Sequence, residues 1–280
     1  GCVIQPPEKI VPYVRQQEEL IPGKALFFAT AMTLGGVGVG LLGKSNEGRP
    51  TKIEGNPDHP GSQGATDVLA QGSLLNLYDP DRSQEILFRG SPTTWQTFMN
   101  EVRAAVNENR ADGGAGVRFL TETIVSPTLI AQMRQLLTEM PNARWYQYEP
   151  LNNDNATNGA RLAFGAPAHT IYRFENADRI LSLDNNFLQS FNVGYVKNYA
   201  KKHNYTDERR EMNRLYMIET SLTITGAKAD HRLAVKPSQM IEIAKAVAAA
   251  MGVPGVTSTY TENAQWIQAM ARDLTAARGR

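Results

Sequence analysis

The chain has 280 residues, 41% of them hydrophobic and 20% charged, a globular composition that excludes wholesale disorder. Lys plus Arg number 29 against 28 Asp plus Glu, so the net charge is +1 and no basic block offers a footprint for nucleic acid. A compact chain of this length would bury roughly three quarters of its unfolded surface, with no need of disulfide or metal staples.

In chain order, residues 1–24 carry four prolines and no sustained period, which predicts an extended N-terminal arm. Residues 25–90 read as a small β-rich part. ALFFATAMT is β-prone, and VGVGLLGK and RPTKIEGN flank Ser45-Asn46-Glu47-Gly48, a hairpin signal. Asn56-Pro57-Asp58-His59-Pro60 is a loop, and DVLAQGSLLNLYD a short helix.

From Ser91 the pattern becomes βα alternation. Ser91-Pro92 is the expected N-cap of a helix whose apolar face carries Trp95, Phe98, Met99, Val102 and Val106. VRFLTET is a strand, and Ser126-Pro127 opens a helix with Leu129, Ile130, Met133, Leu136 and Leu137. ARWYQYEP, DRILSLD and RLYMIET are further strands. NNDNATNGARLAFG, SQMIEIAKAVAAAM and ENAQWIQAMARDLTAA are helices. Short strands alternating with helices predict the α/β class: a small β-rich N-terminal part, then a doubly wound, mostly parallel sheet over residues 91–280. The chain starts at Gly1 and stops just after a helix, which predicts an upstream segment removed and a sheet completed in a longer protein.

Cys2 is the one cysteine, which excludes an internal disulfide framework and a Cys-rich zinc or iron–sulfur site in these residues. His59, His169, His203 and His231 never fall in a two-His metal spacing, and the longest apolar run, Ala25 to Leu34, is too short to span a bilayer. Gly38 to Ser45 satisfies the phosphate-loop pattern G-x-x-x-x-G-K-[ST] and also contains G-x-G-x-x-G. Both patterns need a helix immediately afterwards, to hold phosphates at its N-terminus. Gly48 and Pro50 block that helix, so a glycine-rich hairpin is favoured, with Lys44 and Arg49 exposed near its turn.

Asn56, Asp58 and His59 could do general-base work, but an Asx-type turn is favoured because no nucleophile motif accompanies them. Asp79-Pro80-Asp81-Arg82 lacks calcium-loop spacing and reads as a charged turn with a paired Arg82 or a solvated cap. Asp230-His231-Arg232 reads as structural, on a loop. Lys201-Lys202-His203 and Asp207 to Glu211 read as a charged, helical, solvated face. Cys2 stays open between the acylated residue of a bacterial lipoprotein and an incidental thiol of a shortened chain.

Residues 48–84, GRPTKIEGNPDHPGSQGATDVLAQGSLLNLYDPDRSQ, resemble the N-terminal part of the molybdopterin oxidoreductase superfamily. The branch most similar is the large iron–sulfur subunit of alternative complex III, a bacterial quinol:electron-acceptor oxidoreductase. That resemblance rests on Glu8 to Val14, Pro22-Gly23-Lys24, Phe28 to Thr33 and Gly64 to Asp67, and downstream on Ala177 to Asp184, Glu211 to Tyr216 and Thr225 to Leu233. Catalytic superfamily members often carry a Cys after the His-Pro turn; here Gly61 to Asp67 contain none.

The resemblance implies a non-catalytic scaffold without molybdenum, whose [4Fe–4S] and [3Fe–4S] clusters sit in a later part of the subunit. It implies a Rossmann-like α/β domain over residues 91–280. Its implied partners are a multihaem cytochrome c subunit, integral membrane quinol-binding subunits and a monohaem cytochrome c subunit, at the periplasmic face of the bacterial inner membrane. It also tips Cys2 towards lipidation, as a possible lipid anchor. Two rivals remain. One is a molybdopterin-dependent oxidoreductase fragment binding its pterin nucleotide at the loops Thr121 to Ser126 and Asp184 to Gln189, where open α/β sheets place ligands. The other is a phosphate-loop nucleotide-binding protein.

Overall fold

The computed structural model describes residues 19–34, 37–150, 152, 154–168, 170–190, 192–206 and 211–279. Cys2, most of the N-terminal arm, His169 and residues 207–210 of the charged stretch lie outside the described residues.

β1 (Leu26–Leu34), β2 (Val37–Asn46) and β3 (Arg49–Gly55) form an antiparallel sheet in that order. The expected hairpin joins β2 to β3: Glu47 and Gly48 both have positive φ, 52° and 82°, the geometry that matches strand twist in a two-residue turn. Gly40 is required where it stands, because a Cβ there would overlap the His59 ring. Val39 and Leu41 pack with Ala70 of α1 (Val68–Gly72) and with Val193. The single helix expected after Asp67 is two: Ser73 Oγ donates to Ala70 O at 2.7 Å and ends α1 before α2 (Leu75–Tyr78) begins. The Tyr78 hydroxyl donates to Pro50 O, and the Arg49 guanidinium sits 5.0 Å above its ring, fastening α2 to β3.

Ser91-Pro92 does not open a helix. Ser91–Thr93 is a strand, β5, paired antiparallel with β4 (Ile86–Phe88) across Arg89 and Gly90, both at positive φ. The helix, α3 (Trp95–Arg110), starts three residues later, where the extended Thr94 accepts from Thr97 N at 3.2 Å. Ser126 does cap α4 (Pro127–Glu139), accepting from Leu129 N at 3.3 Å with Pro127 in the first turn. β6 (Arg118–Thr121) and β7 (Arg144–Gln147) pair in parallel, Leu120 opposite Tyr146, and α5 (Asp154–Phe164) follows.

β8 (Arg179–Leu183), β9 (Arg214–Glu219) and β10 (His231–Ala234) form a second parallel sheet in the order β10-β9-β8. Around them lie α6 (Gly194–His203), α7 (Ile224–Lys228), α8 (Met240–Ala250) and α9 (Ala264–Ala276). Leu215, Met217 and Ile218 of the central strand are fully buried. One core joins Ile180 and Leu215 to Phe174, Phe187, Tyr195 and Tyr199; another joins Tyr216 and Ile218 to Ile243, Val247, Ile267 and Met270. Helices and cores on both faces are what a parallel sheet requires. The α/β class is therefore as expected, with its parallel strands distributed as a pair and a trio. Val193 and the contact from Lys197 Nζ to Gln63 O, 2.5 Å, join the β-rich sheet to α6.

Leu87, Trp95, Phe98, Leu120 and Tyr146, large apolar side chains of β4, α3, β6 and β7, stay exposed. Among the described residues no helix is long and apolar enough to cross a membrane.

Candidate functional site

Ligands of open parallel sheets meet the loops at the carboxyl ends of the strands. In the trio those ends carry Asp184, Glu219 and the turn from Thr220 to Thr225. Asp184 takes a left-handed backbone, φ 52°, and its N–H donates to Ile218 O at 2.8 Å. Its carboxylate receives Thr220 N at 3.0 Å and the Thr220 hydroxyl at 3.2 Å, which locks β8 to β9. Asn186 Oδ1 receives both the N–H and the hydroxyl of Thr225, at 3.1 and 2.8 Å, and Thr225 Oγ1 receives Leu188 N at 3.1 Å.

Glu219 is wholly buried. One carboxylate oxygen accepts from Thr223 N at 3.2 Å and from the Thr223 hydroxyl at 2.7 Å, while the other pairs with Arg232 Nε. Thr223 also caps α7, receiving Gly226 N at 3.1 Å. A Cβ on Gly226 would overlap the carboxylate, so glycine is needed there. The whole cluster is a latch that ties β8, β9, β10 and α7 together through charge-assisted bonds.

At the carboxyl ends of the pair, Thr123 N donates to Glu149 Oε1 at 2.9 Å and Ile124 N to Gln147 Oε1 at 3.0 Å. Thr121 Oγ1 receives Trp145 Nε1 at 2.9 Å. The loops Thr121 to Ser126 and Asp184 to Gln189 therefore belong to two different sheets; Thr123 N and Ile124 N are taken by the side chains of Glu149 and Gln147, and Leu188 N by Thr225 Oγ1. A pterin nucleotide brings phosphates, and these rims present the carboxyl side chains of Glu122, Glu149 and Asp184, with Thr123 N and Ile124 N bonded to Glu149 and Gln147. The residues present do not fit that group.

The phosphate-loop match lies entirely in strand: Gly38 to Ser45 run along β2, Lys44 opposite Lys52. The favoured hairpin is the observed one. Asp58 N donates to Asn56 Oδ1 at 3.0 Å, an Asx turn, and His59 Nδ1 receives Gly61 N at 3.2 Å, so that loop holds its own backbone. Asp79 Oδ1 likewise receives Asp81 N at 2.9 Å. Asp230-His231-Arg232 is not a loop: His231 begins β10 and stacks on Tyr216, ring centroids 4.9 Å apart, and Asp230 Oδ2 receives Leu215 N at 2.7 Å. Nor is Lys201-Lys202-His203 merely solvated. Lys202 pairs with Asp178, and His203 Nδ1 lies 3.1 Å from Tyr199 Oη and 2.9 Å from Asn213 Oδ1. Burial pushes the Tyr199 hydroxyl pKa upward, and the Asp230 carboxylate adds to it.

Asp273 of α9 is the second tie that sequence reasoning passed over. Its Oδ2 receives Arg179 Nε at 2.7 Å, Arg214 at 2.9 Å and the Tyr216 hydroxyl at 2.7 Å. Burial pushes its pKa up, but these donors and the charge of Arg179 outweigh that and hold it below the usual aspartate value. Among the described residues, no group of three or more His, Cys, Asp or Glu is placed to hold a metal ion.

No protein-family model matches the chain. Over 220 residues, 78% of its length, it is 21% identical to a protein of Nitratidesulfovibrio vulgaris, strain Hildenborough. That relative is a menaquinone reductase, molybdopterin-binding-like subunit. The chain spans 31% of the relative's length.

Proposed function

We propose that these residues are the N-terminal scaffold portion of the iron–sulfur subunit of a quinol-oxidising respiratory complex, of the alternative complex III type. The observation that carries this is the likeness, along 78% of the chain, to a molybdopterin-binding-like subunit of a menaquinone reductase. The broad reading is electron transfer coupled to quinone chemistry; alternative complex III is the finer one, supported by the motif resemblance along the chain.

Two features support a scaffold over an enzyme. At the carboxyl ends, Asp184, Asn186, Glu219, Gln147 and Glu149 bond the N–H groups of Thr220, Thr225, Thr223, Ile124 and Thr123, and the rims are acidic, which suits a nucleotide poorly. The apolar faces of α3, β4 and the β6–β7 pair are open, as suits a subunit packed among others. The partners are then a multihaem cytochrome c subunit, a monohaem cytochrome c subunit and integral membrane quinol-binding subunits at the periplasmic face. Its [4Fe–4S] and [3Fe–4S] clusters lie in a later part of the subunit, molybdenum is absent, and Cys2 is acylated.

The test is to tag the native protein, solubilise membranes in mild detergent and stain the copurified subunits for covalent haem. Haem-staining partners together with polytopic membrane proteins are expected. A lone protein without haem partners, or one carrying stoichiometric molybdenum, would overturn the proposal.

A further inference from the structure

We infer that the open edge of β1 is paired by a further antiparallel strand supplied by residues 8–18 of this same chain. Asn56 N donates to Gly40 O at 3.0 Å, so the main-chain groups of Gly40 face β3 and those of Val39 and Leu41 face β1. Their partners Met32 and Thr30 therefore face β2. With the unbroken β1–β2 register, the groups of Phe27, Ala29, Ala31 and Thr33 face outward. Among the described residues no strand meets that side.

The two edges of this sheet are built differently. β3, RPTKIEG, carries Arg49, Pro50 and Lys52, and its pairing shifts by a bulge between Lys44 and Ser45, all devices that blunt an exposed strand. β1, LFFATAMTL, has nine residues, on the order of 30 Å of strand, with no charge, no proline and no bulge. Phe27 and Phe28 point to opposite faces and are 51% and 57% exposed, so at this end the strand is open on both faces as well as along its edge.

The chain itself leads to that edge. Lys24 N donates to Ile21 O at 3.0 Å and Gly23 takes φ 79°, a turn with Pro22 at its first corner that reverses the chain just before β1. Leu20, ahead of the turn, is 5% exposed, so the chain there lies against the body. Residues 1–18, outside the described residues, are long enough to line all of β1 at about 3.3–3.6 Å per extended residue. Lys24 and Leu26 would offer their groups to the same side, so Ala25 is the extra residue of a bulge that brings the pairing to the outer edge.

Composition agrees with that register. Ile21 faces Lys24 across the turn, so by alternation Tyr13, Arg15 and Gln17 turn their main-chain groups toward β1. Pro12, which has no N–H, then faces outward, where a proline removes no ladder bond. Ile10, Val11, Tyr13 and Val14 favour strand, and Lys9, Pro12 and Arg15 are what an outermost strand carries. β6, β7 and β8 also have open sides, but with four, four and five residues they are too short to line nine. A separate protein would lose translational and rotational freedom on binding, whereas this segment closes only a short loop. A preparation without haem would sink the respiratory assignment and leave this pairing untouched, so the two fail separately.

The experiment is residue-resolved hydrogen exchange on the native, tagged protein. Ala29 and Ala31 amides are expected to be slowed about 100-fold or more from the unstructured rate, as Thr30 and Met32 are. Exchange of Ala29 and Ala31 near the unstructured rate would overturn the proposal. A photo-crosslinking residue in place of the exposed Thr33 then names the occupant. The expected product has the mass of one polypeptide and joins position 33 to a peptide within residues 8–18. Capture of a second copy, of another subunit or of any other part of this chain, without a product to residues 8–18, would overturn it.

Discussion

Glu219 shows how much one side chain decides here. A carboxylate with no exposed surface is tolerable only when fully bonded, and Arg232, Thr223 N and the Thr223 hydroxyl supply those bonds. Glu219→Ala leaves Arg232 and the α7 cap without their acceptor, and we expect a loss of about 3–5 kcal/mol in denaturant unfolding. Gly226→Ala, which adds one methyl against the same carboxylate, should destabilise through overpacking by about 1–3 kcal/mol. A mutant as stable as the parent would show that the latch is dispensable. Asp273 gives the pH dependence. Its folded pKa is depressed while its unfolded value is the ordinary one, so its contribution is complete above the ordinary aspartate range. It is lost as pH falls through the depressed folded value. Asp273→Asn should therefore lower stability near neutral pH by about 2–3 kcal/mol and flatten the acid limb of the stability profile, read by thermal unfolding between neutral and strongly acid pH.

At the scale of elements, helix starts separate what the sequence declares from what packing chooses. Ser126-Pro127 is a cap followed by proline, and the helix begins there. Ser91-Pro92 has the same chemistry, yet β4 claims Ser91–Thr93 as its partner and the helix waits for Thr94. Thr94→Ala should cost about 1 kcal/mol, and Ser91→Ala no more than about 0.5, in paired chemical denaturation curves; the reverse order would restore Ser91 as the cap. Period alone made α4, α8, α9 and most strands legible, because their apolar residues recur on one face. β10 was not legible. Its four residues come two residues after the five-residue α7, and the polar run at its start, Asp230-His231-Arg232, has its meaning only when Leu215, Tyr216 and Glu219 are beside it. The same holds for the site: Asp184 lay in a loop already singled out, whereas Glu219 ends an apolar strand with nothing local to show that Arg232 answers it.

For the whole molecule, surface decides. The described residues form sound local cores without closing over all their apolar faces. The central trio is finished inside, with Leu215, Met217 and Ile218 at no exposure. Among the ring contacts of the described residues, by contrast, the Trp95 and Phe98 rings meet only each other, in a tilted pair with centroids 5.0 Å apart, and α3 buries none of its residues. Hydrophobic burial is the main favourable term of folding, so these open faces are what remains to be gained by association. Residues 1–280 expressed alone should accordingly bind an apolar-surface dye such as anilinonaphthalene sulfonate while retaining native circular dichroism in both the far and near ultraviolet. That retained near-ultraviolet signal separates open native faces from a loosened core. In the native assembly, dye binding per mole of this chain should fall several-fold, since the same faces are then covered. Equal dye binding in the two preparations would mean that α3, β4 and the β6–β7 pair stay exposed in the assembly, and the scaffold reading would lose its packing argument.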